Sequence, residues 1–487
     1  MEFHVSLDER GDRTIRIYRA LLDAVLDGRL RPGERVPPTR ELAVRLAVAR
    51  NTVAAAYERL VAEGFLVSRV GAGTFVCDQA FGPTPTTDPA TTRAAPAGRG
   101  VRPRVLWREL AEPPRPPVPR PRYDFQVGVP DVELFPFETW RRLVTSELRR
   151  STIDNPAYGD PAGHAGLRAA IARQAGLSRS VRAEADDIVV TQGAQQALDL
   201  VGRILIEPGA CVAMEDPGYP EARLLFRSHG ARVVGVPVDD HGLVVDRLPA
   251  NARLVYVTPS HQFPLGLPMS LPRRAALLAW AERHDAVIIE DDYDSEFRFS
   301  DRPLEPLQAI DGAGRVVYIG TFSKTLLPML RVGYLVAPST LQPALRTAKR
   351  LTDWHGSLPI QAALARFIEE GLLARHIRKA TRVYAERHEL LQRGLREHLA
   401  PWLEPVGSAA GLHLAALRRD TRSGPESSAP DVSARARSLG LAVPTLAGYY
   451  AQPRPGQRDG LVLGFGGIAT ADIAPALRLL ATAFASS

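Results

Sequence analysis

The segment Gly320-Thr321-Phe322-Ser323-Lys324-Thr325, which directly follows the apolar run Val316-Val317-Tyr318-Ile319, decides the fold of this chain. A lysine just beyond a buried strand, partly desolvated and near a fixed cation, has a lowered pKa that suits formation of a Schiff base. The hydroxyls of Thr321 and Ser323, together with Arg331, can hold a phosphate beside that lysine. A lysine after a serine is usually a solvated surface residue, so this interpretation depends on the neighbouring motifs.

Short apolar runs alternate with amphipathic segments from Tyr123 to the end of the chain, which is typical of a mainly parallel sheet covered by helices. Three further predicted strands are Ile188–Val190, Leu254–Val257 and Ala286–Ile289. Ligands of such sheets bind in the crevice outside the carboxyl ends of the strands. We therefore predict an α/β fold whose polar site gathers where these strands end.

An acidic stretch, Glu290-Asp291-Asp292-Tyr293, follows the predicted strand Ala286–Ile289. A carboxylate there can pair with a protonated pyridine nitrogen, and Tyr293 can hydrogen-bond a phenolic oxygen. The alternative is a magnesium or phosphoryl site built from the three carboxylates. That alternative lacks the Gly-rich phosphate loop that such sites use.

Two turns after predicted strands carry further candidates. Thr191-Gln192-Gly193-Ala194-Gln195 opens a helix, and the free amides of Ala194 and Gln195 at its positive end are suited to bind phosphate. An ordinary turn between a strand and a helix has the same pattern. Asp216-Pro217-Gly218-Tyr219 places an aromatic ring beyond another strand, where it either stacks on a ring or belongs to the core.

The N-terminal residues predict a helix, a short helix, a turn, a third helix and a β-hairpin, in that order. Gly71-Ala72-Gly73 supplies glycines where the hairpin turn needs positive φ. Apolar residues of the first helix recur at three- and four-residue spacing. They are Ile15, Tyr18, Leu21, Leu22, Val25 and Leu26. This order of elements describes a winged helix-turn-helix.

Arg50, Asn51 and Thr52 begin the predicted third helix, and Arg69 lies beside the wing. These residue types reach phosphates and base edges when the N-terminus of a helix enters a major groove. Arg69 is suited to grip a phosphate or the minor groove. The alternative is a helical protein-interaction module with solvated arginines, but the basic cluster coincides with the expected docking face.

The same residues resemble the GntR family of bacterial regulators. The stretch Gly33–Ala43 resembles that family's loop into its second helix, and Arg50–Val53 and Tyr57–Leu60 resemble its recognition helix. The resemblance implies that Arg40 faces promoter DNA together with Arg50, Asn51 and Thr52.

Two helix-capping hydroxyls of the GntR family are absent from this chain. Pro38 and Ala49 stand where the family often has Ser or Thr. We expect Thr39 and Asn51 to cap the second and third helices instead, at a cost of about 1 kcal/mol or less per cap.

From about Tyr123 onward the motifs resemble the fold-type I pyridoxal-phosphate enzymes, the aspartate aminotransferase superfamily. The resemblance implies a large transferase-like domain with a smaller C-terminal α/β subdomain, and pyridoxal 5'-phosphate bound as an aldimine to Lys324. It implies that Asp291 pairs with the pyridinium nitrogen, that Tyr293 contacts the ring oxygen and that Tyr219 stacks on the ring. The phosphate would be held by Ala194, Gln195, Thr321, Ser323 and Arg331.

Tyr158, in the stretch Tyr158–Gly163, matches a superfamily residue that reaches the phosphate from the partner subunit. This match implies a homodimer.

A GntR-type head, a Pro- and Arg-rich linker and this fold in one chain resemble the MocR subfamily of regulators. Thr258–Pro264 and Glu290–Phe297 look like that subfamily's own versions of the motifs. The predicted division is a DNA-binding domain at residues 1–77, an extended, mostly unfolded linker at 78–122 and a pyridoxal-phosphate domain at 123–487. Members described as PdxR-like sense pyridoxal phosphate, and GabR-like members use it to sense an amino acid.

Two departures from the superfamily count against ordinary transamination. Gln262-Phe263-Pro264-Leu265-Gly266 stands where the superfamily usually has an Asn before Pro-Thr-Gly, which removes an amide contact to the ring oxygen. Gly460–Phe465 contains no arginine where aminotransferases clamp the substrate carboxylate. Aliphatic side chains do not replace a bidentate clamp.

Composition narrows the setting of the protein. The chain has 487 residues and a net charge of +7, which permits a polyanionic partner such as DNA. Cys77 and Cys211 are its two cysteines, too few for a disulfide scaffold or a four-ligand zinc site, so we expect a cytoplasmic protein without a metal. The polar N-terminus does not resemble a signal peptide, and no apolar stretch approaches 18 residues.

We predict a ligand-responsive transcriptional regulator that binds promoter DNA and senses pyridoxal phosphate, alone or with an amine or amino acid. Control of vitamin B6 synthesis is the favoured role, because the carboxylate clamp is absent. An aminotransferase with an appended DNA-binding domain is the alternative, with slow half-transamination compatible with the residues. A third hypothesis is a DNA-binding protein whose large domain serves only dimerisation.

Overall fold

A computed structural model describes residues 12–77, 101–110, 121–149, 157–299, 305–408, 410–419, 428–452 and 457–485. The chain divides into two compact units, Met1–Arg102 and Pro103–Ser487. The boundaries at 77 and 122 stay predictions, because residues 78–100 and 111–120 of the predicted linker lie outside the described residues. No helix of the described ranges is long and apolar enough to cross a membrane.

The smaller unit contains three helices and a hairpin, as the sequence predicts. Its elements are α1 (Arg13–Leu26), α2 (Thr39–Arg45), α3 (Arg50–Ala62), β1 (Leu66–Arg69) and β2 (Gly73–Val76). The two strands pair antiparallel, and Gly71 and Gly73 both adopt positive φ at the turn. This arrangement is a winged helix-turn-helix.

The buried face of α1 differs by one position from the prediction. Ile17, Tyr18, Leu21 and Val25 lie in the core, whereas Ile15 is 38% exposed. Ile15 precedes Ile17 by two residues, which places it about 200° away around the helix. The predicted three-residue spacing between Ile15 and Tyr18 therefore did not mark the buried face.

The prediction that Thr39 and Asn51 replace the missing caps is wrong. Pro38 and Ala49 occupy the N-cap positions of α2 and α3, and neither helix has a side-chain cap. Thr39 and Asn51 lie inside the helices, one and two residues too late to cap them. The Thr39 hydroxyl instead accepts a hydrogen bond from Arg50 Nε at 3.5 Å.

One short helix interrupts the linker that the sequence predicts to be extended. Val105–Glu109 is helical and belongs to the larger unit as α4. The stretch between Pro103 and Pro113 contains no proline and includes Val105, Leu106 and Trp107, so its backbone amides are free to form one helical turn.

The larger unit alternates strands and helices. Its helices after α4 are α5 (Phe137–Glu147), α6 (Ala165–Arg179), α7 (Ala194–Leu205), α8 (Pro220–Ser228), α9 (Leu271–Arg283), α10 (Leu307–Ile310), α11 (Gln342–Asp353), α12 (Leu358–Glu369), α13 (Leu372–His398), α14 (Ala429–Ser438) and α15 (Thr470–Ala485). Its strands are β3 (Tyr123–Asp124), β4 (Ile188–Thr191), β5 (Cys211–Asp216), β6 (Arg232–Asp239), β7 (Gly242–Leu243), β8 (Ala252–Val257), β9 (Val287–Asp292), β10 (Val316–Thr321), β11 (Gly333–Val336), β12 (Leu403–Pro405), β13 (His413–Arg418), β14 (Leu441–Ala442) and β15 (Gly460–Gly464).

The main sheet has eight strands in the order β4-β11-β10-β9-β8-β5-β6-β7. Strands β10, β9, β8, β5 and β6 run parallel, whereas β11 is antiparallel to both of its neighbours. All four predicted strands are present, and the carboxyl ends of β5, β8, β9 and β10 meet at one edge. A second, antiparallel sheet of β12, β13 and β15 packs with α13 and α15 around a separate C-terminal core.

Gly320 lets the last parallel strand lie against its antiparallel neighbour. It pairs with Tyr334 across β10 and β11, and a Cβ at position 320 would lie 2.3 Å from the Tyr334 ring. Both residues are buried, so the ring has little room to move aside. The glycine therefore fixes how β10 presents the segment that follows it.

Gly320→Ala is expected to lower the free energy of unfolding of the larger unit by about 1–3 kcal/mol through overpacking. Urea denaturation monitored by circular dichroism measures the change. Gly312→Ala is the matched control, because a Cβ at that position meets nothing within 4 Å. Equal stability of the two variants would contradict the packing argument.

Candidate functional site

A cavity of about 310 Å³ lies at the carboxyl edge of the main sheet. Nine of the ten residues predicted for the cofactor line it. They are Ala194, Gln195, Tyr219, Asp291, Tyr293, Thr321, Ser323, Lys324 and Arg331. Residues distant in sequence thus converge because five strands end at the same edge. The role of each residue in binding a cofactor stays a prediction.

Lys324 lies two residues after the end of the predicted strand and points into this cavity. Its Nζ donates a hydrogen bond to the Gly128 carbonyl at 2.7 Å. Burial lowers the pKa of Lys324, and the nearby Arg331 adds to that effect, while Asp294 and Asp291 oppose it. A lysine amine with a lowered pKa is more often neutral, and the neutral form attacks an aldehyde.

Asp291 ends β9 deep in the cavity and has one oxygen to spare. Its Oδ2 accepts a hydrogen bond from the Tyr256 hydroxyl at 2.7 Å, whereas its Oδ1 is buried without a hydrogen-bond partner. Burial raises the pKa of Asp291 to about 6, an effect that the Tyr256 hydrogen bond partly offsets. A buried acceptor without a partner is costly, so the site is built for a cation or an N–H donor opposite Oδ1.

Arg331 and the start of α7 form the anion-binding end of the cavity. Arg331 adopts a left-handed backbone with φ of 52°, and its Nη2 donates to the Gln192 carbonyl at 2.6 Å. Gly193 is required there, because a Cβ would lie 3.0 Å from the guanidinium nitrogens. Helix α7 begins at Ala194, so the amides of its first turn have no partner within the helix. A guanidinium beside free helix amides is suited to hold a phosphate.

Thr321 and Ser323 complete the anion-binding end with hydroxyls. The Thr321 Oγ1 lies 3.1 Å from the Ser323 Oγ and accepts a hydrogen bond from the Ser323 amide at 3.1 Å. The pair is largely buried, so its hydroxyl rotors are set by one another until an anion displaces them.

Aromatic side chains form the walls of the cavity. Tyr219 lies edge-on to Phe263, with ring centroids 5.7 Å apart, and Phe263 is likewise edge-on to Tyr293. Burial raises the pKa of both tyrosines, which keeps their hydroxyls protonated as donors. The arrangement provides flat apolar surface for a ring together with phenolic hydrogen-bond donors.

Seven lining residues were not among the predicted site residues. They are Val127, Gly128, Tyr256, Thr258, Phe263, Pro328 and Tyr449. Phe263 and Thr258 belong to quoted motifs, so position within the motif was the available signal. Tyr256 lies inside a strand and Tyr449 lies more than 120 residues beyond Lys324, and nothing local in the sequence marks either residue.

The two departures from the aminotransferase pattern are visible in the structure. The Gln262 amide donates to the Pro217 carbonyl at 2.9 Å and is not part of the cavity lining, where Phe263 lies instead. Strand β15, which contains the stretch without an arginine, is buried throughout. Among the described residues that line the cavity, Arg331 is the sole arginine.

Tyr158 is the one predicted cofactor residue that does not line the cavity of its own chain. It is 74% exposed and stacks on Trp354 with ring centroids 4.6 Å apart. Its predicted contact with the phosphate of a partner subunit stays a prediction.

The residues predicted to face DNA lie on the surface of the smaller unit. Arg40, Arg50, Asn51 and Arg69 are exposed, and Thr52 is half-buried at the start of α3. The Arg69 guanidinium lies 5.0 Å from the centre of the Phe75 ring on the opposite strand of the wing. The predicted basic and polar side chains are thus accessible to a polyanion.

Pyridoxal phosphate fits the residues of the cavity. The partnerless Asp291 Oδ1 matches a pyridinium N–H, the Arg331 end matches a phosphate, and Lys324 lies between walls of aromatic rings. When bound, pyridoxal phosphate supplies an aldehyde that combines reversibly with amines.

Comparison with known families agrees with both halves of the chain. Residues 124–422 match the family described as aminotransferase class I and II, which depends on pyridoxal phosphate. Residues 14–76 match the family described as bacterial regulatory proteins, gntR family, whose domain binds DNA. The kynurenine aminotransferase of Pyrococcus horikoshii superposes with a TM-score of 0.68 and 27% identity, over 74% of this chain and 90% of that one.

A DNA-binding head of gntR type joined to an aminotransferase-type domain defines a class of transcriptional regulators. The probable rhizopine catabolism regulatory protein MocR of Rhizobium meliloti is 39% identical over 96% of this chain and 93% of its own length. The pyridoxine biosynthesis regulator PdxR of Corynebacterium glutamicum is 33% identical over 91% of this chain and 89% of its own. The chain belongs to the MocR subfamily of GntR-type transcriptional regulators.

Asp291→Asn is expected to weaken the binding of pyridoxal phosphate about 10- to 100-fold, the size expected for losing a hydrogen bond to a charged group. Titration of the visible absorbance of the bound vitamer measures the dissociation constant. Asp246→Asn, on the exposed surface, is the control for loss of a carboxylate. An unchanged constant for Asp291→Asn would show that Oδ1 does not face the ring nitrogen.

Proposed function

We propose that this regulator binds pyridoxal phosphate covalently through Lys324 and that occupancy of the cavity changes the affinity of the N-terminal domain for promoter DNA. The observation that supports this most strongly is the convergence of a buried lysine and a buried carboxylate oxygen without a partner in one cavity. The structural cost of these two groups is understandable if a ligand satisfies both.

The signal in this proposal is pyridoxal phosphate itself, or its combination with an amine that lacks a carboxylate. Arg331 is assigned to the phosphate, so among the described lining residues no second guanidinium remains for a carboxylate. Control of vitamin B6 synthesis is the corresponding physiological role. The printed name of the Corynebacterium glutamicum relative, a pyridoxine biosynthesis regulator, supports the same assignment.

Two copies of the chain carry out this function in our proposal. The exposed Tyr158 ring is available to reach the phosphate end of a neighbouring cavity. A ligand that binds one arrangement of such a dimer better than another shifts DNA affinity only by that difference, typically about 1–3 kcal/mol.

Lys324→Ala is expected to abolish covalent capture and to remove the effect of pyridoxal phosphate on promoter affinity, while DNA binding without ligand stays unchanged. The sequence contains three lysines, so borohydride reduction followed by peptide mapping assigns the adduct directly. Lys379→Ala is the control, because Lys379 is exposed on α13. A ligand response that persists in Lys324→Ala would refute the proposed sensing role.

Arg50→Ala and Asn51→Ala are each expected to weaken promoter binding about tenfold or more, because these side chains begin the helix proposed to enter the major groove. Fluorescence anisotropy with labelled promoter DNA measures the loss. Arg19→Ala removes one exposed charge from α1 and is expected to have a much smaller effect. Equal losses in all three variants would indicate binding through net charge alone.

The second candidate function is an aminotransferase with an appended DNA-binding domain, and the presence of both Lys324 and Asp291 favours it. Sustained keto-acid production from amino-acid donors at about 1 per second or faster would establish such an enzyme. Production limited to a single equivalent per protein would agree with the sensing role.

A further inference from the structure

A second group of titratable side chains lies behind the wall of the cavity. His261, Asp294 and His413 are each at most 2% exposed and come from the loop after β8, the loop after β9 and strand β13. His261 Nδ1 lies 2.9 Å from Asp294 Oδ1. Tyr293, which lines the cavity, lies between this cluster and the ligand space.

The cluster has the composition of a metal site but the contacts of a hydrogen-bond network. The three side chains place one ligand atom each within 4.8 Å of one another. Both nitrogens of His261 are already engaged, Nδ1 with Asp294 and Nε2 with Ser408 Oγ at 3.1 Å. His413 Nε2 lies 3.0 Å from the Pro264 carbonyl, so it carries a hydrogen and cannot bind a metal.

Tyr293 is connected to the cluster through its hydroxyl. The hydroxyl oxygen lies 3.1 Å from His261 Nδ1 and donates its hydrogen to the His261 carbonyl at 2.9 Å. His261 lowers the pKa of Asp294, so Asp294 is ionised and Nδ1 carries the hydrogen that faces it. The Nδ1–H thus lies within reach of both the carboxylate and the Tyr293 oxygen.

The imidazole of His261 is held in place by backbone. A Cβ on Gly411 would lie 2.1 Å from His261 Cε1, and one on Gly266 would lie 3.1 Å from its Nε2. Asp294 is fixed from its other oxygen by the Leu412 amide at 3.1 Å. Such close packing leaves the histidine one orientation, with Nδ1 toward Tyr293 and Asp294.

We propose that Asp294 and His261 are positioning residues that act through Tyr293 on the ring oxygen and amine of the bound pyridoxal phosphate. This inference rests on the proposed function. When the vitamer is bound, the Tyr293 hydroxyl turns from the His261 carbonyl to the ring oxygen, and its lone pair accepts the Nδ1–H. The chain Asp294–His261–Tyr293 thereby replaces the amide contact that Phe263 has removed.

The charge of Asp294 also acts on the lysine. Asp294 is the leading influence that raises the pKa of Lys324 against the effect of burial, ahead of Asp291. Removal of this charge is therefore expected to favour the neutral amine. Loss of the His261 donor leaves the Asp294 charge less compensated and weakens Tyr293 as a donor to an anionic oxygen, so it acts in the opposite direction.

Other charged or titratable groups face the chain of hydrogen bonds from neighbouring elements and remain constant in the comparison of variants. The groups around Tyr293, His261 and Asp294 are Glu215, Asp291, Asp292, Lys324, His388 and His413. Burial lowers the pKa of His413 to about 3, so it stays neutral throughout a titration near neutral pH.

The test is a pH titration of the visible absorbance of the full-length protein loaded with pyridoxal phosphate. Asp294→Asn is expected to lower the pH midpoint and His261→Gln to raise it, each by about one pH unit. His261→Asn keeps an N–H donor near the position of Nδ1 and is expected to restore a midpoint close to that of the unsubstituted protein. In a Tyr293→Phe background, the shift caused by His261→Gln is expected to disappear.

The outcomes separate this inference from the proposed function. No visible band in the unsubstituted protein overturns both. A band whose midpoint is the same in all variants, or shifts of equal sign in Asp294→Asn and His261→Gln, overturns the positioning role alone. A His261→Gln shift that persists without the Tyr293 hydroxyl also overturns it.

Two arms guard the test against other readings. Asp294→Asn preserves side-chain shape, so an unchanged or raised midpoint in that variant overturns the inference even where His261→Gln fails to fold. Titrations with Zn²⁺ and with a chelator examine the alternative occupant. A midpoint that moves with the metal would assign the cluster to an ion and refute the hydrogen-bond chain.

Discussion

Desolvation of opposite charges within one cavity is the constraint on which the larger unit depends. Asp291 and Lys324 are both buried, and burial moves the pKa of each toward its neutral form, upward for the acid and downward for the amine. Neither group repays this cost through the fold alone, because Asp291 Oδ1 has no partner and Lys324 reaches only the Gly128 carbonyl. A ligand with a cationic nitrogen and an aldehyde carbon relieves both.

The sheet makes this arrangement possible by fixing the backbone where the strands end. Gly320 permits β10 to lie against Tyr334, and Gly193 permits Arg331 to reach across the start of α7. These glycines act at the backbone, so the chemistry of the site is set partly by residues that carry no functional group. The same logic holds for Gly266 and Gly411, which confine the His261 ring behind Tyr293.

Sequence reasoning found the residues that directly follow strands and missed those placed by tertiary packing. Lys324 and Asp291 stand at the junction of apolar runs and polar residues, where a parallel sheet forms its crevice, so a local pattern identified them. Tyr256 and Tyr449 reach the cavity from inside a strand and from the distant C-terminal part of the chain. Ile15 was misassigned because apolar spacing alone does not decide between overlapping faces of one helix.

The replacement of an amide by Phe263 changes what the cavity can distinguish. An amide would hold the ring oxygen from one side independently of pH, whereas Tyr293 holds it through a buried histidine and carboxylate whose charges add to those of Asp291 and Lys324. The protonation of a bound vitamer then depends on a set of buried groups instead of a single contact. A catalyst needs its cofactor to cycle between forms. A regulator needs one occupied state that differs enough from the empty state to shift a conformational equilibrium, and a coupled, buried cluster meets that need without a carboxylate clamp.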